Sequence, residues 1–203
     1  MKIFRDKRTP LDTFAISPTF TLYGRNSTKL LAPIHSVIAP GASQGEFLWD
    51  GVDLNTKTLI KKTPTNSLIG YVSNYDYPPA GFEMYPFVEI DPELSNSDFV
   101  SLPLGTAAPP TGLEDNDEVR LESNSSIPIV GELVSKEPAL IPWPFSAAIN
   151  VWAYRVSFRT LPTQQDIGGR VFTVGASPQL LGMLFHRPSS GTHSLIYPAS
   201  KIS

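Results

Sequence analysis

The sequence predicts an all-β protein, an antiparallel sandwich or barrel that is jelly-roll-like, with proline-rich loops, extended terminal arms and at most one or two short helices. Proline supplies 20 of the 203 residues, which is about twice its usual share. Each proline removes a backbone donor and biases the preceding residue toward extended geometry, so few intervals can hold a helix. Hydrophobic residues make up 41% of the chain, which excludes the disordered class.

The clearest strand signal covers residues 149–161. Apolar side chains of one parity alternate there with mostly polar ones, the apolar parity being Trp152, Tyr154, Val156 and Phe158. This alternation is typical of an antiparallel strand with one buried and one wet face. Weaker strands are predicted at 13–16, 20–23, 34–39, 46–49, 58–61, 68–73, 87–90, 99–102, 118–122, 127–134, 170–174, 180–186 and 194–197. Short helical turns are an alternative at 44–49 and 177–183.

The chain is expected to form a basic amino-terminal arm, residues 1–12, and one β domain, residues 13–203. The stretch 105–117 is rich in Ala, Pro, Gly and acidic residues, which favours a long loop that could act as a subdomain hinge. The formal net charge is −3, so nucleic acid is not an expected partner except weakly through the arm.

Cysteine is absent from the sequence, which excludes disulfides, a thiol nucleophile and thiolate metal sites. The charged amino terminus does not have the apolar run of a signal peptide, so we expect synthesis in a host cytoplasm. Charges or prolines interrupt every candidate membrane span, so no membrane partner is expected. No cofactor is predicted.

One motif points to catalysis. Residues 41–45, Gly-Ala-Ser-Gln-Gly, fit the pattern G-x-S-x-G. This pentapeptide resembles the serine-centred motif of α/β-hydrolase esterases and cutinases, and the resemblance implies a small serine hydrolase with Ser43 as its nucleophile. The motif needs a preceding strand of a parallel sheet, whereas the downstream alternation predicts antiparallel strands. A surface loop is the alternative interpretation.

Two groups of side chains could bind a metal. His186 and His193 flank residues 187–192, so a hairpin there would bring their imidazoles to its mouth, and other ligands would have to come from elsewhere. The alternative is that these histidines make ordinary hydrogen bonds at the turn. Residues 114–118 gather four carboxylates and an amide, the kind of ligands that calcium prefers. Their spacing does not match the EF-hand loop, and a solvated acidic loop is favoured.

Aromatic side chains crowd the segment around residues 71–87, which also holds Asn74 and Asp76. Rings beside amide and carboxylate groups could form a contact platform for a sugar or a protein. The candidate ligand-binding residues are Tyr75, Tyr77, Phe82 and Tyr85. A carbohydrate-binding module is therefore an alternative function.

The favoured function is non-enzymatic. A proline-rich antiparallel β domain is analogous to bacteriophage capsid, decoration and tail components, so we expect a virion protein that forms a symmetric oligomer with copies of itself and other assembly subunits. The candidate partner-binding residues are Lys2, Phe4, Arg5, Arg8, Trp143 and Phe145. The last two belong to the proline-bounded segment 140–145, whose aromatics would either contact a neighbouring subunit or close the domain's own core.

Overall fold

A computed structural model describes residues 13–16, 20–23, 30–38, 59–62, 67–74, 78–92, 100–103, 110–123, 125–144, 146–188 and 193–202. Within these ranges the protein consists of strands and loops, and its helical pieces are three 3₁₀ turns at Ile34–Ser36, Gln164–Asp166 and Ala199–Lys201. The predicted all-β class is confirmed, with 3₁₀ turns in place of short α-helices. The strands form two sheets in a sandwich-like arrangement.

The first sheet is built from the amino-terminal half of the chain. Its strands are β1 (Thr13–Ile16), β2 (Phe20–Tyr23), β3 (Leu30–Pro33), β4 (Val37–Ile38), β5 (Leu59–Lys62), β6 (Ser67–Asn74), β7 (Phe87–Pro92) and β8 (Val100–Pro103). Their order is β4-β1-β5-β6-β7-β3-β2-β8. Most neighbours are antiparallel, as predicted, but β1 runs parallel to β5 and β2 runs parallel to β8.

The second sheet is built from the carboxyl-terminal half. Its strands are β9 (Glu118–Leu121), β10 (Ile129–Leu133), β11 (Ala139–Trp143), β12 (Ser146–Phe158), β13 (Arg170–Thr173), β14 (Leu180–His186) and β15 (Ser194–Pro198). Their order is β10-β9-β13-β14-β15-β12-β11, and β10 also pairs with β12. This last pairing closes six antiparallel strands into a barrel, and β11 extends the sheet beyond it.

The barrel interior is filled by apolar side chains from all six strands. They are Val119, Leu121, Leu133, Tyr154, Val156, Val171, Leu181, Leu184 and Ile196. Because the ring is closed, these strands leave few unpaired edges, and one small core holds them together.

A second core lies between the first sheet and the outer side of the second. The first sheet and its loops contribute Leu30, Leu31, Ala32, Ile34, Val72, Met84, Phe87, Val88 and Ile90, and the second contributes Ile141, Trp143, Ile149, Val151, Ala153, Leu180, Met183, Phe185, Leu195 and Tyr197. Strands β14 and β15 therefore have both faces buried. Such a strand is a continuous apolar run, which periodicity alone does not separate from a helix. The helical alternative at 177–183 is wrong for this reason.

Strand β12 takes part in both cores. Its carboxyl-terminal half buries Tyr154 and Val156 inside the barrel, as the sequence pattern predicted. Its amino-terminal half buries Val151 and Ala153, which have the opposite parity, in the shared core. The prediction of a single buried face is wrong for the amino-terminal half of β12. The strand has 13 residues, so this half extends beyond the barrel and packs against the first sheet.

Several predicted boundaries differ from the structure. The predicted strand at 34–39 is a 3₁₀ turn, Ile34–Ser36, followed by the two-residue strand β4, and β3 and β11 were not predicted. The predicted segments at 44–49 lie outside the described residues. The two sheets divide the chain between Pro103 and Glu118, but residues 104–109 are not described, so a hinge there stays a prediction.

The carboxyl-terminal turn packs against the domain. The basic arm, residues 1–12, lies outside the described residues. At the other end, Ala199 and Ile202 are buried in the shared core, 2% and 1% exposed. The prediction of an extended carboxyl-terminal arm is therefore wrong for residues 199–202, because these two apolar side chains hold the segment against the domain.

Candidate protein-contact face

Strands β11 and β12 form an antiparallel pair whose two faces differ. Ile141 and Val151 are opposite each other and belong to the shared core, as the sheet pleat requires of adjacent partners. Leu140 pairs with Trp152, and Pro142 pairs with Asn150, on the other face. Leu140 is 42% exposed, Pro142 is exposed and Trp152 is partly buried. We call this side of the pair the β11–β12 face.

The loop segment 81–84 pairs with the edge of β12 opposite β11 and extends the β11–β12 face. The backbone amide of Gly81 donates to the carbonyl of Ala148 at 2.8 Å, and the amide of Met84 donates to the carbonyl of Asn150 at 2.6 Å. Glu83 pairs with Asn150 in a parallel bridge. Trp152 Nε1 donates a hydrogen bond to Glu83 Oε2 at 3.1 Å, which fixes the carboxylate beside the indole.

The carboxyl-terminal turn adds a cation to the same face. Lys201 Nζ lies 4.2 Å from the centre of the Trp152 ring, a cation–π contact. Its neighbour Ile202 is 1% exposed, so the buried isoleucine places the lysine over the indole. The β11–β12 face therefore combines apolar surface with one acid and one base.

The outer edge of β11 is poor in backbone donors. Proline has no N–H group and cannot donate to β12, so Pro142 must occupy a position whose donor would point away from the sheet. In an antiparallel ladder such positions recur every second residue, which places Leu140 in the same set as Pro142 within β11. Of these two outward positions only Leu140 carries an N–H group, and Pro138 and Pro144 flank the strand. The edge is thus protected against pairing with another strand.

Of the predicted partner-binding residues, the structure describes Trp143. Trp143 is 2% exposed and stacks on Phe185, with ring centroids 5.8 Å apart. A side chain this buried is not a surface anchor, so the prediction for Trp143 is corrected: it closes the domain's own core, which was the alternative interpretation. Lys2, Phe4, Arg5, Arg8 and Phe145 lie outside the residues described, and their roles stay predictions.

The predicted ligand-binding residues do not form one exposed platform. Phe82 is 62% exposed and lies at the rim of the β11–β12 face, next to Glu83. Tyr85 is half-buried instead, because its ring packs against Phe87 and Tyr197 with centroids 5.1 and 5.9 Å apart. Tyr75 and Tyr77 are not among the described residues.

Strands β14 and β15 pair antiparallel on either side of the two histidines, as the hairpin hypothesis required, but the register does not place His186 opposite His193. His186 pairs with Leu195 in the ladder, while His193 is exposed. Burial, with a smaller effect of the Arg187 charge, lowers the pKa of His186. Within the described ranges no three His, Cys, Asp or Glu side chains are grouped as metal ligands would be.

The acidic loop at 114–118 makes its own contacts. The Asp117 carboxylate accepts from the Glu114 amide at 2.8 Å, and the Asp115 carboxylate accepts from the Lys136 amide at 2.8 Å. Lys136 Nζ donates to Glu114 Oε2 at 3.2 Å, and this hydrogen bond raises the pKa of Lys136. Asn116 adopts φ of +69°, a turn conformation that asparagine tolerates. These carboxylates serve a turn, as the favoured interpretation has it.

Ser43 lies outside the described residues. The strand that comes before it is β4, which has two residues, pairs antiparallel with β1 and stands at the end of the sheet order. A nucleophile elbow follows a strand of a parallel sheet instead. No described residue therefore supports a hydrolase site at Ser43.

Sequence reasoning missed Glu83 and Lys201 as members of the face. Lys201 lies 49 positions after Trp152 in the numbering, and no local pattern joins the two. Among the residues that the structure describes, no helix is long and apolar enough to cross a membrane. Neither the protein-family models nor the curated proteins compared with the chain match it.

Proposed function

We propose that the chain is a non-enzymatic structural subunit, which takes part in an assembly through protein contacts at the β11–β12 face. The observation that carries this proposal is a contrast within the second sheet. The residues of the barrel wall that are exposed within its strands are charged or polar: Arg120, Glu132, Arg155 and Ser157. The corresponding positions of the β11–β12 pair are Leu140, Pro142, Asn150 and Trp152.

An antiparallel sheet with one wet face is expected to be polar on that face. Three of the four outward residues on the β11–β12 pair are apolar, whereas the exposed strand positions of the barrel wall are charged or polar. Protein contact surfaces are enriched in aromatic residues and depleted of charges at their centre. A face that exposes Leu140 and Pro142 beside Trp152, which is partly buried and packs against the shared core, and that places Glu83 and Lys201 next to the indole fits this composition.

Within this proposal the assembly is a virion of bacteriophage type, in which the chain is a capsid, decoration or tail component. The support is architectural, because β sandwiches, barrels and jelly rolls recur in such particles. The described strands have a sandwich-like arrangement that includes a closed barrel. The same fold serves other functions in other proteins. The role in protein contacts is therefore inferred from the β11–β12 face, and the fold supports only the class of particle.

Sedimentation of lysates from cells that make the protein tests this proposal. We expect the 22.2 kDa chain to sediment with a much larger particle in fixed stoichiometry, and the Leu140→Glu variant to shift toward the free fraction. The Ile127→Glu variant is the matched control, because Ile127 is 74% exposed and lies in the connection between β9 and β10, outside the β11–β12 face. Sedimentation of the wild-type chain as free protein would contradict the proposal.

A carbohydrate-binding module is the second candidate, and one observation favours it. Phe82 is exposed. Two backbone hydrogen bonds hold its segment against β12: the Gly81 amide donates to the Ala148 carbonyl, and the Phe82 carbonyl accepts from the Asn150 amide at 3.4 Å. A ring held in this way could stack on a sugar, with the Glu83 carboxylate as a hydroxyl acceptor. A glycan array compares the wild-type protein with Phe82→Ala. Binding that this variant abolishes would support the candidate, and a silent array would count against it.

A further inference from the structure

The β11–β12 face carries charges of both signs around an apolar centre. Glu83 accepts the hydrogen bond from Trp152 Nε1, and Lys201 lies over the indole ring, at the distances given above. Both charged side chains are exposed. A partner of one sign would be attracted by one of these groups and repelled by the other. A second copy of the same face offers the opposite sign to each of them.

The edge of β11 restricts how a partner can approach. A partner that extended the sheet would need backbone donors along β11. Of the two outward positions within β11, Leu140 and Pro142, only Leu140 has an N–H group, and Pro138 and Pro144 flank the strand. Strand addition at this edge is therefore disfavoured, and the side-chain face is the part of the pair that remains for binding.

We propose that two copies of this chain dock face to face through their β11–β12 faces, related by a twofold axis. The proposal rests on the proposed function and names the partner for its contact face. When the twofold axis passes between Glu83 and Lys201, Glu83 of each copy lies opposite Lys201 of the other copy. Contacts made in this way occur twice, as an isologous interface requires. Leu140 and Trp152 supply the apolar area near the axis.

Charge reversal tests the pairing between copies. Glu83→Lys alone places two lysines opposite each other, and Lys201→Glu alone places two glutamates opposite each other, so each purified variant should dimerise at least about tenfold more weakly than wild type. In a mixture of the two variants, both contacts are again between opposite charges. We expect the mixture to form a heterodimer with an affinity near that of the wild-type dimer.

The mixture separates contacts between copies from contacts within one chain. Each variant loses its own interaction with Trp152 within the chain, and adding a second variant cannot restore that interaction. The mass in solution is measured by light scattering over a range of concentrations, with circular dichroism to show that each variant is folded. Failure of the mixture to dimerise better than its components, with both variants folded, would overturn the proposal.

A second pair of variants tests the apolar centre. Leu140→Glu should abolish the dimer, and Ile127→Glu should leave it intact, although both place a charge at an exposed apolar position. Equal loss in both variants, or a wild-type chain that is monomeric at all concentrations, would contradict the twofold dimer. If the wild-type chain is monomeric when pure but still enters a particle, the proposed function stands and the partner is a different protein. If it also stays out of the particle, both proposals fail.

Discussion

Asp166 links two segments of the barrel through its side chain. Its carboxylate accepts hydrogen bonds from the Thr163 amide at 2.7 Å, the Thr163 hydroxyl at 2.8 Å and the Ser123 hydroxyl at 2.7 Å. The residue is 2% exposed. Thr163 belongs to the connection between β12 and β13, and Ser123 follows β9. A buried carboxylate with this many donors holds both segments in place.

Asp166→Ala should lower the free energy of unfolding by about 2 to 4 kcal/mol, because it removes the acceptor of three partly buried donors. Urea denaturation measures the change. Asp115→Ala is the control, since the exposed Asp115 carboxylate accepts one hydrogen bond, from the Lys136 amide, and its loss should cost about 1 kcal/mol or less. Similar losses in the two variants would contradict the special role of Asp166.

Tyr197 makes stability depend on alkaline pH. Burial raises the pKa of its phenol, and the neighbouring Tyr85 and Glu83 raise it further. The folded state therefore keeps a proton that the unfolded state releases above about pH 10. The contribution of Tyr197 to the free energy of unfolding is fully present below that pH. It decreases as the pH rises, by up to about 1.4 kcal/mol per pH unit.

Tyr197→Phe should flatten this alkaline loss of stability. Burial also raises the pKa of Tyr154, so part of the pH dependence will remain. Unfolding free energies measured between neutral pH and pH 11 test the prediction. If wild type and Tyr197→Phe lose stability equally steeply, the folded phenol does not have a raised pKa.

Among the elements, several strands were predictable from the sequence. Strands β1, β2 and β14 were placed at their observed bounds, and β13 and β15 were placed within one residue of them. The failures have physical causes. Strand β11 contains Pro142, which argues against a strand unless it lies at an edge, and a single sequence does not reveal edges. Strands β14 and β15 were located correctly, but both of their faces are buried, so their apolar runs do not show which side faces which core.

Strand β14 approaches β15 closely at Gly182. A Cβ atom there would overlap the carbonyl oxygen of Tyr197, and backbone in a closed barrel has little room to move. Gly182→Ala should therefore destabilise the protein by about 3 kcal/mol. Gly175→Ala is the matched control, because a Cβ at Gly175 meets nothing within 4 Å. Thermal unfolding that ranks the two variants equally would mean that the β14–β15 spacing differs from the one described.

For the molecule as a whole, the sequence predicted the class of fold but not its closure. The barrel closes through β10 and β12, whose pairing joins Gly131 to Phe158, and no local pattern announces such a distant contact. The same limit applies to the candidate site. Leu140 belonged to the proline-bounded segment that sequence reasoning singled out, whereas Glu83 and Lys201 reach Trp152 only through the tertiary fold.

Photo-crosslinking at position 140 tests the use of the β11–β12 face most directly. A photoreactive aromatic amino acid replaces Leu140 in one variant and Ile127 in another, and both variants are irradiated in the cells that make the protein. We expect covalent adducts with assembly subunits, including copies of the same chain, from position 140 and a much lower yield from position 127. Adducts from position 127 alone, or equal yields from both positions, would contradict a contact role for this face.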